Sequence, residues 1–391
     1  MKAGCLRRAG GSGVLAALRI GGERYPALTG VRAVGATVVY FEHFPVREAA
    51  QITLNVMAFF FALSGFLIVR IYHRQANWTR QWAKSYFVNR FARIYPLYFL
   101  LLTVAALAAH ESRFWVLASN YTLTHALIHR MHLIIEPSWT LTVEECFYLL
   151  APGFMLAARL GGFATSFLAA GLLLAVALGI STLGIGFLET PGFVLSTTFF
   201  GSFVEFFAGV YVALAVMRLE SNGGVDVPGG KRTWAGVIGV MIAILASSEV
   251  YRRVPLDVRS VVLINNFLLP LPIALLYWGL IREDTLLARL LSGKVCGLMA
   301  RASYSFYLLH TLVIDHLSLP LLESRHGYRP LYVLVTFVLT WMAALLLFVL
   351  YEEPLNLFIR RRFGSRDPAE RSRRAAHAAA RALAASRTGG T

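Results

Sequence analysis

The sequence predicts an all-α, polytopic membrane protein with about ten transmembrane helices, an interfacial helix and a re-entrant or interfacial segment. Three observations carry this prediction. First, 57% of the 391 residues are hydrophobic and only 15% are charged, and mean hydropathy is +0.61. A soluble domain carries about 25% charged residues. Second, mostly apolar runs near the length of about 20 residues needed to cross a bilayer recur along the chain. Third, the cations are sorted between alternate loops. Together these exclude an ordinary soluble domain and a disordered chain. The net charge of +16 is therefore read as positive-inside bias rather than as the footprint of a nucleic-acid binder. Cys5, Cys146 and Cys296 are scattered without ligand-like spacing, which argues against a disulfide framework and a metal site.

Residues 1–24 are basic and Gly-rich. Their apolar run, Val14 to Leu18, is shorter than a signal-peptide core, so a cytoplasmic extension is expected. The spans fall at 27–44, 52–70, 94–110, 138–158, 163–183, 193–217, 233–248, 260–281, 302–322 and 330–351. Together they form a membrane domain over 25–358. The stretch 77–93 mixes aromatics with cations and reads as an interfacial helix. The stretch 114–128 is too short and too polar to cross. It belongs to a segment, 110–137, carrying His110, His125, His129 and His132, expected as a lid beside the end of the first span. With this alternation one side holds 28 Lys and Arg and the other 8, with Arg32 inside the first span. The bias places both termini in the cytoplasm of a cell with a plasma (inner) membrane. The Arg/Ala-rich tail, 359–391, is suited to anionic lipid. No internal repeat is visible, which weakens a transporter reading.

Ionisable groups within spans are costly and mark function. Arg32 and His43 are eleven residues apart, which is three helical turns plus about 20°, so they share one face roughly 16 Å apart. An imidazole suits proton transfer near neutral pH. A snorkelling Arg and an interfacial His form the alternative. Arg90 and Arg93 neighbour each other on one face, and paired guanidinium groups suit phosphate. Ordinary positive-inside anchoring explains them equally well. Glu144 and Glu145 lie about one turn inside the fourth span and point about 100° apart, so a functional role is expected for at least one. His310 reads as a core histidine paired with a tyrosine hydroxyl. Glu352 and Glu353 suit a helix end beside Pro354.

These segments together resemble the acyltransferase-3 family of integral membrane O-acyltransferases, over about residues 25–360. The shared elements are Arg32-x10-His43, Arg90-x-x-Arg93 followed by IYPLY, SW-x-L-x-VEE-x-FY over Ser138–Tyr148, SYSFYLLH over Ser303–His310, and Glu353-Pro354. Thr29 stands where the family often has Asp, and Cys146 where it often has Gln. Neither difference touches the His or the carboxylates. Many members acylate bacterial surface polysaccharide or lipopolysaccharide, and others acylate macrolides. The resemblance implies transfer of an acyl group, acetyl by expectation, from acyl-CoA to a hydroxyl of a carbohydrate or glycoconjugate. No fused hydrolase-type domain follows the last span, so the membrane domain is expected to act alone or with a separate partner.

By the same resemblance His43 is the catalytic residue, as general base or transient acyl carrier. Arg90 and Arg93 bind the CoA phosphates. Glu145 orients a His or a sugar hydroxyl, and Arg32 steadies the donor carbonyl or its thiolate. The partners expected are acyl-CoA, the acceptor and membrane lipid, with no nucleic acid and no metal. A transporter or flippase of a lipid-linked sugar is the alternative from the residues alone.

Overall fold

The computed structural model describes residues 25–43, 50–73, 76–127, 132–183, 190–224, 229–253, 258–318 and 329–364. The N-terminal extension, Arg47, His129, Arg130 and the tail beyond Gly364 lie outside these residues, as do the loops 184–189 and 319–328. The described residues form helices, with no strand among them.

Every predicted span falls largely on helical residues, though not always on one helix each. The first two are α1 (Pro26–Glu42) and α2 (Ala50–Tyr72), followed by α3 (Arg80–Ala108) and the short α4 (Phe114–Tyr121). Next come α5 (Trp139–Thr182), the short α6 (Pro191–Thr197), α7 (Phe203–Ser221) and α8 (Lys231–Arg253). Then α9 (Val258–Leu263) runs through a π turn into α10 (Pro270–Arg282). The short α11 (Leu286–Leu291) precedes α12 (Lys294–Val313). Last are α13 (Arg329–Leu347), a π turn and α14 (Glu353–Phe363). The stretches 80–108, 136–182, 231–250, 260–282 and 331–363 are long and apolar enough to cross a membrane by length and composition, and Val56–Tyr72 is a shorter apolar helix. Leu107, Leu160, Leu168, Leu172 and Leu245 are more than 60% exposed. Such side chains fit a lipid-facing surface, and the chain is a multi-pass membrane protein.

Some boundaries differ from the sequence reading. The interfacial helix and the third span are one helix, α3. Thr79 caps it by accepting the Trp82 N–H at 3.2 Å, and no Gly or Pro interrupts it before Pro96. Its 29 residues reach about 44 Å at 1.5 Å each, long enough to cross and project beyond the hydrocarbon. The sixth span is broken, with α6 ending at Thr197 and α7 starting at Phe203. The helix of the ninth span, α12, starts earlier, at Lys294, and the Arg301 within it lies over the Phe348 ring at 5.3 Å and pairs with Glu353 at 3.8 Å.

The two spans merged in α5 turn at Gly162, whose φ of +80° is one that residues with a Cβ rarely adopt. Phe147 stacks on Phe206, Phe163 meets Tyr211 and Phe167 meets Phe203. The second half therefore runs back along α7, as two antiparallel spans require. α2 and α7 cross closely at Gly65 and Gly209. A Cβ on Gly65 would stand 2.0 Å from the Phe206 carbonyl oxygen, and one on Gly209 1.7 Å from that of Ala62. Small residues at crossings let backbones touch, which replaces the hydrophobic drive that lipid removes.

Polar links fix which helix ends lie together. Tyr25 donates to Glu220 at 2.9 Å, while Arg70 donates to Tyr25 at 2.8 Å and to Glu220 at 3.0 Å. This joins the start of α1 to the ends of α2 and α7. Glu283 accepts the N–H groups of Arg232 and Thr233 at the start of α8, bringing the end of α10 to it. Both links obey the predicted alternation. Helix α4, with eight residues, rises about 12 Å and cannot cross. Buried Asn120 fastens its segment, donating to the carbonyls of Val116 and His132 and accepting the Ile134 N–H.

Candidate active site

Helices α1, α2, α3, α5, α12 and α14 line a cavity of about 1410 Å³. Its lining follows α2 from Met57 to Tyr72, a helical rise of about 22 Å. At one end lie Asn77, Thr79, Gln81, Arg360 and Arg361, and at the other Met57, Thr140 and Tyr307. Arg32, Arg90, Arg93, Arg360 and Arg361 line it against one carboxylate, Glu144. A space so charged suits a polyanion.

Each cation is held differently. Arg90 lies over the rings of Tyr72 and Tyr148 at 5.4 and 5.1 Å and donates to the Tyr72 hydroxyl at 3.3 Å. Its Nε is buried without a hydrogen bond. Arg93 donates to Glu352 at 2.5 Å and lies over Tyr304 at 5.4 Å. The second oxygen of buried Glu352 accepts from Ser305 at 2.6 Å. Arg32 has no hydrogen bond or ion pair among the described residues and faces the cavity. Glu144 accepts from Ser64 at 2.8 Å and, through a very short bond, from Tyr148.

His43 ends α1 beyond the far end of this cavity. Its Nδ1 lies 2.8 Å from the Val39 carbonyl, one turn back along the helix. Its Nε2 lies 3.3 Å from Glu136, whose side chain is 66% exposed. His310 packs edge-on against it, ring centroids 4.8 Å apart, with its Nδ1 on the Tyr307 carbonyl at 2.5 Å. The His310 Nε2 is buried and unpaired. Tyr307 stands between these histidines and the cavity. Its hydroxyl lies 2.8 Å from that of Thr140 and donates to the Pro137 carbonyl at 3.0 Å.

A family model for an acyltransferase domain, acyltransferase-3, matches residues 26–352, which includes every residue just described except the two cavity-mouth arginines. The chain belongs to the acyltransferase-3 family. The acyltransferase is 30% identical over 153 residues to "Protein 2 in picA locus" of Rhizobium radiobacter, covering 34% of this chain and 76% of that one. No solved structure matches it.

The acyltransferase brings Arg32, Arg90 and Arg93 to one cavity and sets His43 past its end. Glu145, the carboxylate favoured from the sequence, does not line the cavity. It turns toward Tyr95, and its Oε1 is buried without a hydrogen bond. Glu144 takes the cavity position because the two point about 100° apart on α5. His310 is a core residue as read, but its ring faces His43 rather than a tyrosine hydroxyl. Sequence reasoning missed Glu136, which lies in a 3-10 turn, Glu136–Ser138, outside any apolar run. Its one signal was its place directly before the PSW of the shared motif. In the segment expected as a lid, buried His125 is fixed to the Ser138 hydroxyl at 3.1 Å, so that part is anchored beside the start of α5.

Proposed function

We propose that this membrane acyltransferase moves an acetyl group from acetyl-CoA to a carbohydrate hydroxyl, with His43 as the general base. The observation that carries the reading is the arginine-lined cavity, which opens at one face and ends one tyrosine ring from the His43–His310 pair. CoA is a polyanion with a long thin arm. Its phosphates suit the arginines, and the arm suits the α2 wall, where Met57, Phe60, Phe61 and Leu67 face the cavity.

In the reaction the acceptor oxygen attacks the thioester carbonyl carbon. The new C–O bond forms, the C–S bond breaks, and the hydroxyl proton passes to His43. When Nδ1 donates to the Val39 carbonyl, Nε2 is the basic nitrogen. Glu136 faces that nitrogen and stabilises the imidazolium once it is protonated. The acceptor hydroxyl must insert between Nε2 and Glu136, which the exposure of Glu136 allows and which keeps the carboxylate near the imidazolium. Proton transfer of this kind contributes about 10²–10⁴-fold. The thiolate leaves back along the cavity, whose wall carries Arg32, uncommitted to any carboxylate.

The 28-to-8 cation bias supports a plasma-membrane orientation with cytoplasmic termini and cavity mouth. The acceptor then meets His43 from the outer side. The test is mass spectrometry of surface glycans from cells with and without the protein, together with release of free CoA by the purified acyltransferase. Identical glycan acylation in both cells, with no thiol released from acetyl-CoA, would refute the proposal.

A further inference from the structure

We infer that Arg360 and Arg361 on α14 form a separate subsite, at the cavity mouth, for the phosphate of the donor most distant from the thioester. This rests on the reading of the donor as acyl-CoA. In CoA that group is the 3′-phosphate on the ribose, beyond the diphosphate.

The placement is specific. Three arginines follow one another at the end of α14, and two of them line the cavity. Arg362 does not, and its guanidinium lies over the Phe363 ring at 5.6 Å. Arg360 is held toward the mouth by donation from its Nε to Asn89 at 3.0 Å. Asn89 in turn donates to the Tyr72 hydroxyl at 3.2 Å, the group that also receives Arg90. The rim arginine is thus tied through three hydrogen bonds to the deeper one. Arg93 lies four residues further along α3 than Asn89, about 6 Å deeper.

The deeper arginines leave a need for more cation. Arg93 is matched by Glu352 at 2.5 Å, so that pair offers little net charge. CoA carries phosphate at two separated places, so a second cationic patch at the mouth, apart from Arg90, suits it. Unsatisfied polar groups also face this space. Asn356 is only 8% exposed, lines the cavity, and its Oδ1 has no hydrogen bond. The Trp82 Nε1 lines the same mouth, buried and unpaired. Buried polar atoms are normally satisfied, so an acceptor at Asn356 and a donor at Trp82 await a partner carrying both N–H or O–H and oxygen. A ribose phosphate does. Guanidinium groups bind phosphate through two parallel hydrogen bonds.

The shared chemistry is phosphate, and a lipid headgroup is its other source. The full-length protein, purified in uncharged detergent and in phosphatidylcholine nanodiscs, would be titrated with CoA, dephospho-CoA and pantetheine. The wild type should bind CoA about tenfold more tightly than dephospho-CoA, in both settings. In Arg360→Ala/Arg361→Ala that preference should vanish, with binding of dephospho-CoA and pantetheine changed less than twofold. Arg360→Lys/Arg361→Lys should retain part of it, and Arg362→Ala all of it. Thermal melts check that the variants are folded.

The inference is overturned if the wild type binds CoA and dephospho-CoA alike, or if the double alanine variant keeps the preference and loses only retention by phosphatidylglycerol nanodiscs. In those outcomes the acyl-CoA reading stands and the arginines anchor to lipid. Binding of none of the three probes by the wild type overturns both.

Discussion

The Arg93–Glu352 pair separates structure from donor binding. Arg93 reaches Glu352 at 2.5 Å, with side-chain exposures of 24% and 2%, and Ser305 donates to the other oxygen. Glu352→Ala removes the counter-charge and strands the Ser305 hydroxyl. Breaking a buried pair costs about 3–5 kcal/mol. The cavity leaves Arg93 partly hydrated, so the lower end applies, about 3 kcal/mol. At about 2–4 °C per kcal/mol for a large domain, the melting temperature should fall by about 6–12 °C. Glu352→Gln keeps the shape and should fall less. Arg93→Met/Glu352→Met removes both charges and should recover to within about 1 kcal/mol of wild type. If Arg93 also serves the donor, that recovered protein should still bind CoA more weakly. Thermal melts followed by size-exclusion fluorescence in one detergent supply the numbers. A Glu352→Ala protein melting within 2 °C of wild type, or a double variant no more stable than the single, would refute this account.

Other outcomes follow from neighbouring features. Gly209→Ala and Gly65→Ala place a methyl group against opposing backbone and should each cost about 1–3 kcal/mol, whereas Gly171→Ala, with open space around it, should not. His43→Ala should lower acyl transfer at least 100-fold at an unchanged melting temperature, the scale of a lost general base. Glu136→Ala should cost less than tenfold, because an exposed pair contributes under about 1 kcal/mol; equal losses would make Glu136 essential. Burial pushes the His125 imidazole down to about 4, so it is neutral when folded and gains a proton when unfolded below its ordinary value of about 6.5. Stability is therefore unaffected above that value and lost as pH falls toward 4, by up to about 3 kcal/mol. The fall should be smaller in His125→Gln, measured as melting temperature against pH.

The membrane architecture was legible because hydrocarbon imposes length and polarity on each span. Pro96 and Gly162 behaved as sequence rules allow, yet the continuity of α3 was hidden. Its first turns carry Arg80, Lys84, Arg90 and Arg93, so composition separates them from the apolar half although the backbone does not. The arginines of the site were legible as charges where lipid was expected. Their partners were not, since Glu352 meets Arg93 across 259 residues of chain and no local spacing encodes it. The choice between Glu144 and Glu145 depends on the rotation of α5 about its axis, which Ser64 on α2 settles by donating to Glu144. Glu136 escaped because an acid in a polar turn looks like ordinary surface.

The septum made by Tyr307 has an electrical consequence. With the proposed orientation, a vestibule open to one compartment carries that compartment's potential inward, so more of the voltage otherwise spread over about 30 Å of hydrocarbon falls across the layer holding Tyr307, His310 and His43. Moving one elementary charge through the full drop is worth about 2.3 kcal/mol per 100 mV. In the proposed reaction, a thiolate formed on the vestibule side of that layer and a proton taken up by His43 on the other are a pair of charges separated along the field. If that reaction is the protein's, the step that separates them runs with or against the membrane potential, and an energised cell and a detergent micelle then give different barriers for the same chemistry.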